Sequence, residues 1–159
     1  MKKLTPTIIG YKDFSELVDI TDPCYRKDTW CRLNGIKIKA GNYKCAIWMR
    51  PDTFTYNGKE YDDTRVAIIG IYLNGIIPSE TLMEEIGEIG VDAGLAGFFN
   101  NKPDYDDEQW GEFCNSIREG NAWIKDEGFF SSSGYGDGFY PVYAYEMNDE
   151  IVALEIRFI

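Results

Sequence analysis

The chain has 159 residues, 27 of them Asp or Glu and 16 Lys or Arg; its formal net charge is −11, and it contains no histidine. The missing imidazole excludes Ser-His-Asp and Cys-His catalytic pairs, histidine-ligated zinc sites and His-Glu deaminase chemistry. Proton transfer near neutral pH would fall to a carboxylate, Lys, Tyr or Cys of shifted pKa.

The densest basic patches are Arg26-Lys27 and Lys37-Ile38-Lys39. They are too small to offset the negative charge, so double-stranded nucleic acid is not an expected partner. The length fits a single domain, residues 1–159, with enough apolar and aromatic residues to bury a core. The opening segment MKKLTPTIIGYKD lacks an apolar signal region, and no run is long enough to span a membrane. Cys24, Cys31, Cys45 and Cys114 form no C-x-x-C pair. They read as reduced thiols of a cytoplasmic protein, with Cys45 and Cys114 in apolar settings.

Alternating LVDIT predicts a strand at Leu17–Thr21, and YKCAIWM another at Tyr43–Met49. Asn34-Gly35, Asn57-Gly58 and Asn74-Gly75 are turn signals, and TFTYNGKEY around Asn57-Gly58 reads as a hairpin. The nearly unbroken apolar run RVAIIGIYL at Arg65–Leu73 predicts a central strand covered on both faces. A short helix is predicted after Pro78 and Ser79, with Leu82, Met83 and Ile86 as its stripe and Gly87 as its stop. IGVDAGLAGFF at Ile89–Phe99 reads as one glycine-rich strand. A second helix starts at Asp104 or Asp106 and ends at Gly120, with Trp110, Phe113, Cys114 and Ile117 on its packed face and an Asp106/Gln109 capping box. Tyr140–Met147 and Ile151–Ile159 pair across Asn148-Asp149. In the last strand Val152, Leu154, Ile156 and Phe158 face one way, and Glu155 and Arg157 the other. The expected fold class is α+β: a mainly antiparallel sheet, rolled or sandwiched, with two short helices.

Three aspartates sit in special backbone settings: Asp22 in TDPCY, Asp92 in GVDAG and Asp137 in GYGDG. A carboxylate in an apolar strand is costly unless it is bonded or faces a cleft. Each has an ordinary structural reading as a turn or amide-capping residue. Gathered together, the three would make a ligand site or a carboxylate-only divalent site. Gly134, Gly136 and Gly138 lack the strand-loop-helix setting and lysine of a phosphate loop, and DGF does not continue into calcium-loop spacing. No cofactor and no resident metal are therefore expected. Aromatic residues crowd the same segments: Tyr25 and Trp30, Phe98 and Phe99, then Phe139, Tyr140, Tyr143 and Tyr145. Most suit sheet packing; exposed ones would suit a partner interface or stacking pocket.

The series TDPCY, GNY at Gly41–Tyr43, RVA at Arg65–Ala67, GVDAG and SGYGDGFYPVYAY, in that order, resembles a widespread bacterial family known only as a domain of unknown function, DUF4241-like. The resemblance spans residues 17–158. It implies no activity, only positions: Asp22, Pro23, Cys24, Tyr25, Arg65, Asp92, Gly94, Gly134, Gly136, Asp137, Gly138, Tyr140 and Tyr143. Similar sequences often close with an acidic residue before the final Phe, where this chain has Arg157. The expected function is a small acidic, non-catalytic binding or protein-interaction module of immunity or phage anti-defence type, working through an acidic and aromatic surface. The alternatives are a small-molecule or nucleotide binder, or a carboxylate-based metal-dependent hydrolase. Their site would draw on Asp22, Tyr25, Arg65, Asp92, Gly136, Asp137, Gly138 and Tyr140.

Overall fold

A computed structural model describes residues 4–159; Lys2 and Lys3 of the opening segment lie outside the described residues. The first strands are β1 (Pro6–Phe14), β2 (Leu17–Thr21), β3 (Leu33–Lys37), β4 (Gly41–Arg50), β5 (Thr53–Tyr56), β6 (Lys59–Asp62) and β7 (Arg65–Leu73). A single 3₁₀ turn, Glu80–Leu82, precedes β8 (Glu84–Val91) and β9 (Leu95–Phe99). Helix α1 (Asp107–Asn115) is followed by β10 (Ala122–Ile124), β11 (Gly128–Ser132), β12 (Gly138–Met147) and β13 (Glu150–Arg157).

Six strands form one antiparallel sheet in the order β1-β4-β7-β13-β12-β8, and five form another in the order β10-β11-β9-β2-β3. One apolar cluster takes side chains from both: Tyr43, Ile69, Ile71, Val142, Leu154 and Ile156 from the first, Val18, Ile20, Phe98 and Phe129 from the second. The sheets therefore pack face to face over a shared core, as alternating strands with one apolar side must.

The run Arg65–Leu73 forms β7, deep in the six-stranded sheet. Its inner face joins the core through Ile69 and Ile71. On its outer face Tyr72 packs with Ala46, Ala153, Met83 and Ile77, so the segment after the Asn74-Gly75 turn covers that side. In β13, Leu154 and Ile156 point inward with Phe158 beyond them. The Asn57-Gly58 hairpin joins β5 to β6 with both turn residues left-handed. Every residue of both arms is exposed, and Phe54 stacks on Tyr61 at 5.4 Å.

Several expectations are corrected. No helix forms after Ser79 beyond the 3₁₀ turn; Glu84–Val91 is strand β8, laddered to β12. Its Leu82 and Ile86 are exposed, so the helical stripe had no surface to bury. Among the described residues there is therefore one α-helix where two were expected. Ile89–Phe99 is not one strand either. β8 ends at Val91, the chain turns through Asp92–Gly94, and β9 belongs to the opposite sheet. Gly94, with φ +70, supplies the left-handed residue of that turn. Asn34-Gly35 lies inside β3 and not between hairpin arms. Asn74-Gly75 is a tight turn, but the strands on either side of it do not pair with each other. Helix α1 is shorter than expected, and its Cys114 is exposed while Trp110, Phe113 and Ile117 pack beneath. The capping box at Asp106 and Gln109 is present. Strands β1, β3, β10 and β11 had no reading in the sequence.

Candidate functional site

The TDPCY, GVDAG and GYGDG residues meet, with Arg65, at one corner where the two sheets exchange chain, while GNY at Gly41–Tyr43 lies at the other end of β4. β2 leads into the turn at Asp22, and Tyr25 N–H donates to the Asp22 carbonyl at 3.1 Å. The Asp22 side chain is fully buried. One carboxylate oxygen accepts from Cys24 N–H at 2.9 Å, and the other from Asp92 N–H at 2.9 Å and Ala93 N–H at 2.7 Å. A buried carboxylate needs such donors, and here three main-chain amides supply them. Asp22 thus pins the crossover from β8 to β9 to the end of β2.

The third loop joins the same corner through its backbone. Ser133 N–H donates to the Gly94 carbonyl at 2.8 Å. Gly134, at φ +71, lies so close to the Val66 carbonyl that a β-carbon could not fit. Arg65 donates from Nη1 to the Gly134 carbonyl at 3.0 Å, pairs with Asp63 and stands 5.3 Å over the Tyr135 ring. The Gly136 carbonyl accepts from Ser133 Oγ at 2.8 Å and from Tyr140 Oη at 2.9 Å. Gly138 opens β12 opposite Val91.

Asp22, Arg65, Gly136 and Tyr140 are therefore engaged in holding the loops in shape. Asp92 and Asp137 are different: both are exposed, and neither carboxylate has a hydrogen-bond or ion-pair partner among the described residues. The Gly138–Val91 register brings these two aspartates to the same end of the sheet. Among the described residues, no group of three or more acidic or cysteine side chains is placed to hold a metal. Burial pushes the thiol of Cys24 and the phenol of Tyr25 up, and the Asp22 charge adds to both. Tyr140 is raised for the same two kinds of reason, burial first and then Asp137.

Beneath Tyr25 lies a cationic pair that sequence reasoning missed. Arg32 and Lys102 are both buried, and both donate to the Tyr25 carbonyl, at 3.0 and 3.2 Å. Arg32 also pairs with Asp19 at 3.3 Å. Lys102 donates to the Pro103 carbonyl and lies 4.5 Å over the Tyr105 ring. Burial pulls its ammonium down to about 8, and the neighbouring Arg32 charge acts in the same direction. No sequence pattern marks such a pair, because its shared acceptor is a backbone carbonyl 77 residues from Lys102.

On the outside of this corner the indole of Trp30 is 83% exposed and lies against Phe139, itself 54% exposed, with ring centroids 5.8 Å apart and the rings tilted by 37°. Phe139 stands opposite Gly90 across the β12–β8 ladder. Gly90 N–H donates to the Cys31 carbonyl at 2.8 Å, which brings the Trp30 segment against the sheet edge. The exposed Glu84, Glu85 and Glu88 follow along β8. A shallow hollow of about 160 Å³ lies at the other end of β12, lined by Leu73, Ile76, Tyr145, Met147 and Val152 among others. Of the motif residues only Tyr145 is among its lining; Asp22, Arg65, Asp92 and Asp137 are not.

Comparison with protein-family models, with curated proteins and with solved structures returned no match. Among the described residues no helix is long and apolar enough to cross a membrane.

Proposed function

We propose that the chain is a non-catalytic protein-interaction module of the cytoplasm whose contact surface is centred on Trp30 and Phe139. The observation that carries this is the exposed aromatic pair itself. A tryptophan held almost wholly in water on a second exposed ring forgoes the burial that normally stabilises such side chains by about 1.5–3 kcal/mol. Grouped exposed aromatics of this kind are typical anchors of protein interfaces. The exposed carboxylates of Asp137, Asp92 and Glu88 lie within two residues of Phe139 or its ladder partner Gly90, and their charge favours a basic partner. An immunity or anti-defence role suits a small acidic binder of this type by composition. Kinship with the DUF4241-like family belongs to the same proposal and adds positions, not an activity.

The small-molecule, nucleotide and metal-hydrolase readings draw less support. They need Asp22 as a ligand, and both of its oxygens already serve main-chain amides.

The test is paired affinity capture from the protein's native cells. Wild type should retain partners that Trp30→Ala and Phe139→Ala lose, while both variants keep the wild-type circular dichroism spectrum. Identical retention by all three proteins would sink the interface.

A further inference from the structure

β8 ends the six-stranded sheet, and its outer side has a main-chain partner at only one point among the described residues, Gly90 N–H to the Cys31 carbonyl. That bond shows which way the strand faces. Gly90 turns its N–H away from β12, so Glu88, two residues back, does so too. Opposite Glu88 on the β12 side stands Pro141, which has no N–H to offer. The ladder skips Ile86 between Gly87 and Glu85, a bulge that ends this strict alternation, but no other main-chain partner covers the outer side of Glu84–Glu88 among the described residues, so the stretch presents a free, bulged sheet edge.

Natural sheets commonly blunt such an edge with charge, and here the charge is all of one sign. Glu84, Glu85 and Glu88 are exposed, and none forms an ion pair among the described residues. The edge is walled at its far end by the Trp30–Phe139 pair. Two copies of the chain pairing through β8 would set these glutamates against one another, and like charges directly opposite are destabilising. A strand bearing Lys or Arg would meet opposite charge at Glu84, Glu85 and Glu88.

We propose that β8 is a strand-addition site for an extended basic segment of a partner protein, which hydrogen-bonds along Glu84–Glu88 and pairs its Lys or Arg side chains with the three glutamates. This rests on the interaction-module reading and names its partner chemistry and docking mode. Main-chain bonds along the edge give affinity, and the glutamates select the charge.

The probe is a ten-residue synthetic peptide alternating Lys with Val and Thr, with the Glu-for-Lys peptide as control. The Lys peptide should bind, lose affinity as salt is raised, and slow hydrogen exchange at the Glu88 amide; the Glu peptide should do none of these. Glu88→Pro removes the outward N–H without touching the β12 ladder and should weaken binding about tenfold or more, whereas Glu88→Gln should weaken it only several-fold. The triple Gln variant of Glu84, Glu85 and Glu88 keeps the backbone and should abolish the preference for the Lys peptide. Should Glu88→Pro fail to fold, the exchange pattern and the triple variant decide. Absence of Lys-peptide binding, equal binding of the two peptides, or binding with unchanged Glu88 exchange would each overturn the proposal. So would protection of β8 by self-association in the absence of peptide. If Trp30→Ala loses its captured partners while Glu88→Pro keeps them, strand addition fails and the interaction module stands.

Discussion

Asp22 and Glu155 are both buried carboxylates, and they are held by different kinds of partner. Asp22 sits where three loops meet and is bonded by the amides of Cys24, Asp92 and Ala93. Glu155 sits on the outer face of β13, beneath the segment that carries Met83, and is bonded by side chains. Tyr72 donates to it at 2.6 Å, Arg157 donates to its other oxygen at 3.0 Å, and Trp48 donates to the Tyr72 hydroxyl at 3.1 Å. Arg157 in turn lies 3.7 Å from the centre of the Tyr143 ring. Contact with Glu155 adds to burial in holding the Tyr72 phenol well above its ordinary pKa. Amides cannot move away from a missing acceptor without unmaking the turn they belong to. Side chains can turn toward water or another partner. The Asp22 corner should therefore be the more brittle of the two.

Removing the acceptor at the brittle site gives the largest expected effect. Asp22→Ala leaves three main-chain donors without their carboxylate and should cost about 3 kcal/mol or more, read from the urea denaturation midpoint. A loss below that of Glu155→Gln would invert the comparison. Gly134→Ala tests the same corner from its third loop. A β-carbon there meets the Val66 carbonyl at a left-handed φ, and about 2–3 kcal/mol should be lost. Glu155→Gln keeps an oxygen for Tyr72 but withdraws the charge facing Arg157. It should cost about 1–2 kcal/mol, and a crystal structure should show Arg157 turned outward.

A smaller effect appears only as a pH slope. Lys102 is lowered to about 8 in the folded chain and titrates near its ordinary, higher pKa when unfolded. Between those values the unfolded chain holds more of the proton, so this group's contribution to stability rises as pH rises from about 8 toward 10. Cys24 and Cys45, whose thiols burial pushes up, act with the opposite sign in that range. The Lys102 contribution is thus the difference in slope between wild type and Lys102→Met, and equal slopes would refute it. The smallest effect belongs to Asp137→Ala. The carboxylate is exposed and unbonded, so denaturation should shift by less than about 0.5 kcal/mol. A loss several times larger would mean that the glycine loop leans on this aspartate as the crossover leans on Asp22.

The sequence by itself determined the elements whose signal is local. Period-two alternation and apolar runs gave β2, β4, β7 and the β12–β13 hairpin, and Asn57-Gly58 gave the exposed β5–β6 arm. The Asp106 capping box set the start of α1. The sequence also marked Asp22, Asp92 and Asp137 as belonging to unusual turns. What it could not carry was which carboxylate would be bonded and which left in water, because Asp22 is satisfied by amides 70 and 71 residues away. Nor could it show that LMEEIGEIG becomes an edge strand: its helical stripe was real, and only the ladder with β12 overrides it. Strands β1, β3, β10 and β11 have weak patterns and owe their extended form to the neighbours they pair with. The exposure of Trp30, the open side of β8 and the buried Arg32–Lys102 pair all depend on how the two sheets meet at one corner. That is a matter of distant surfaces packing together, and local sequence pattern holds no record of it.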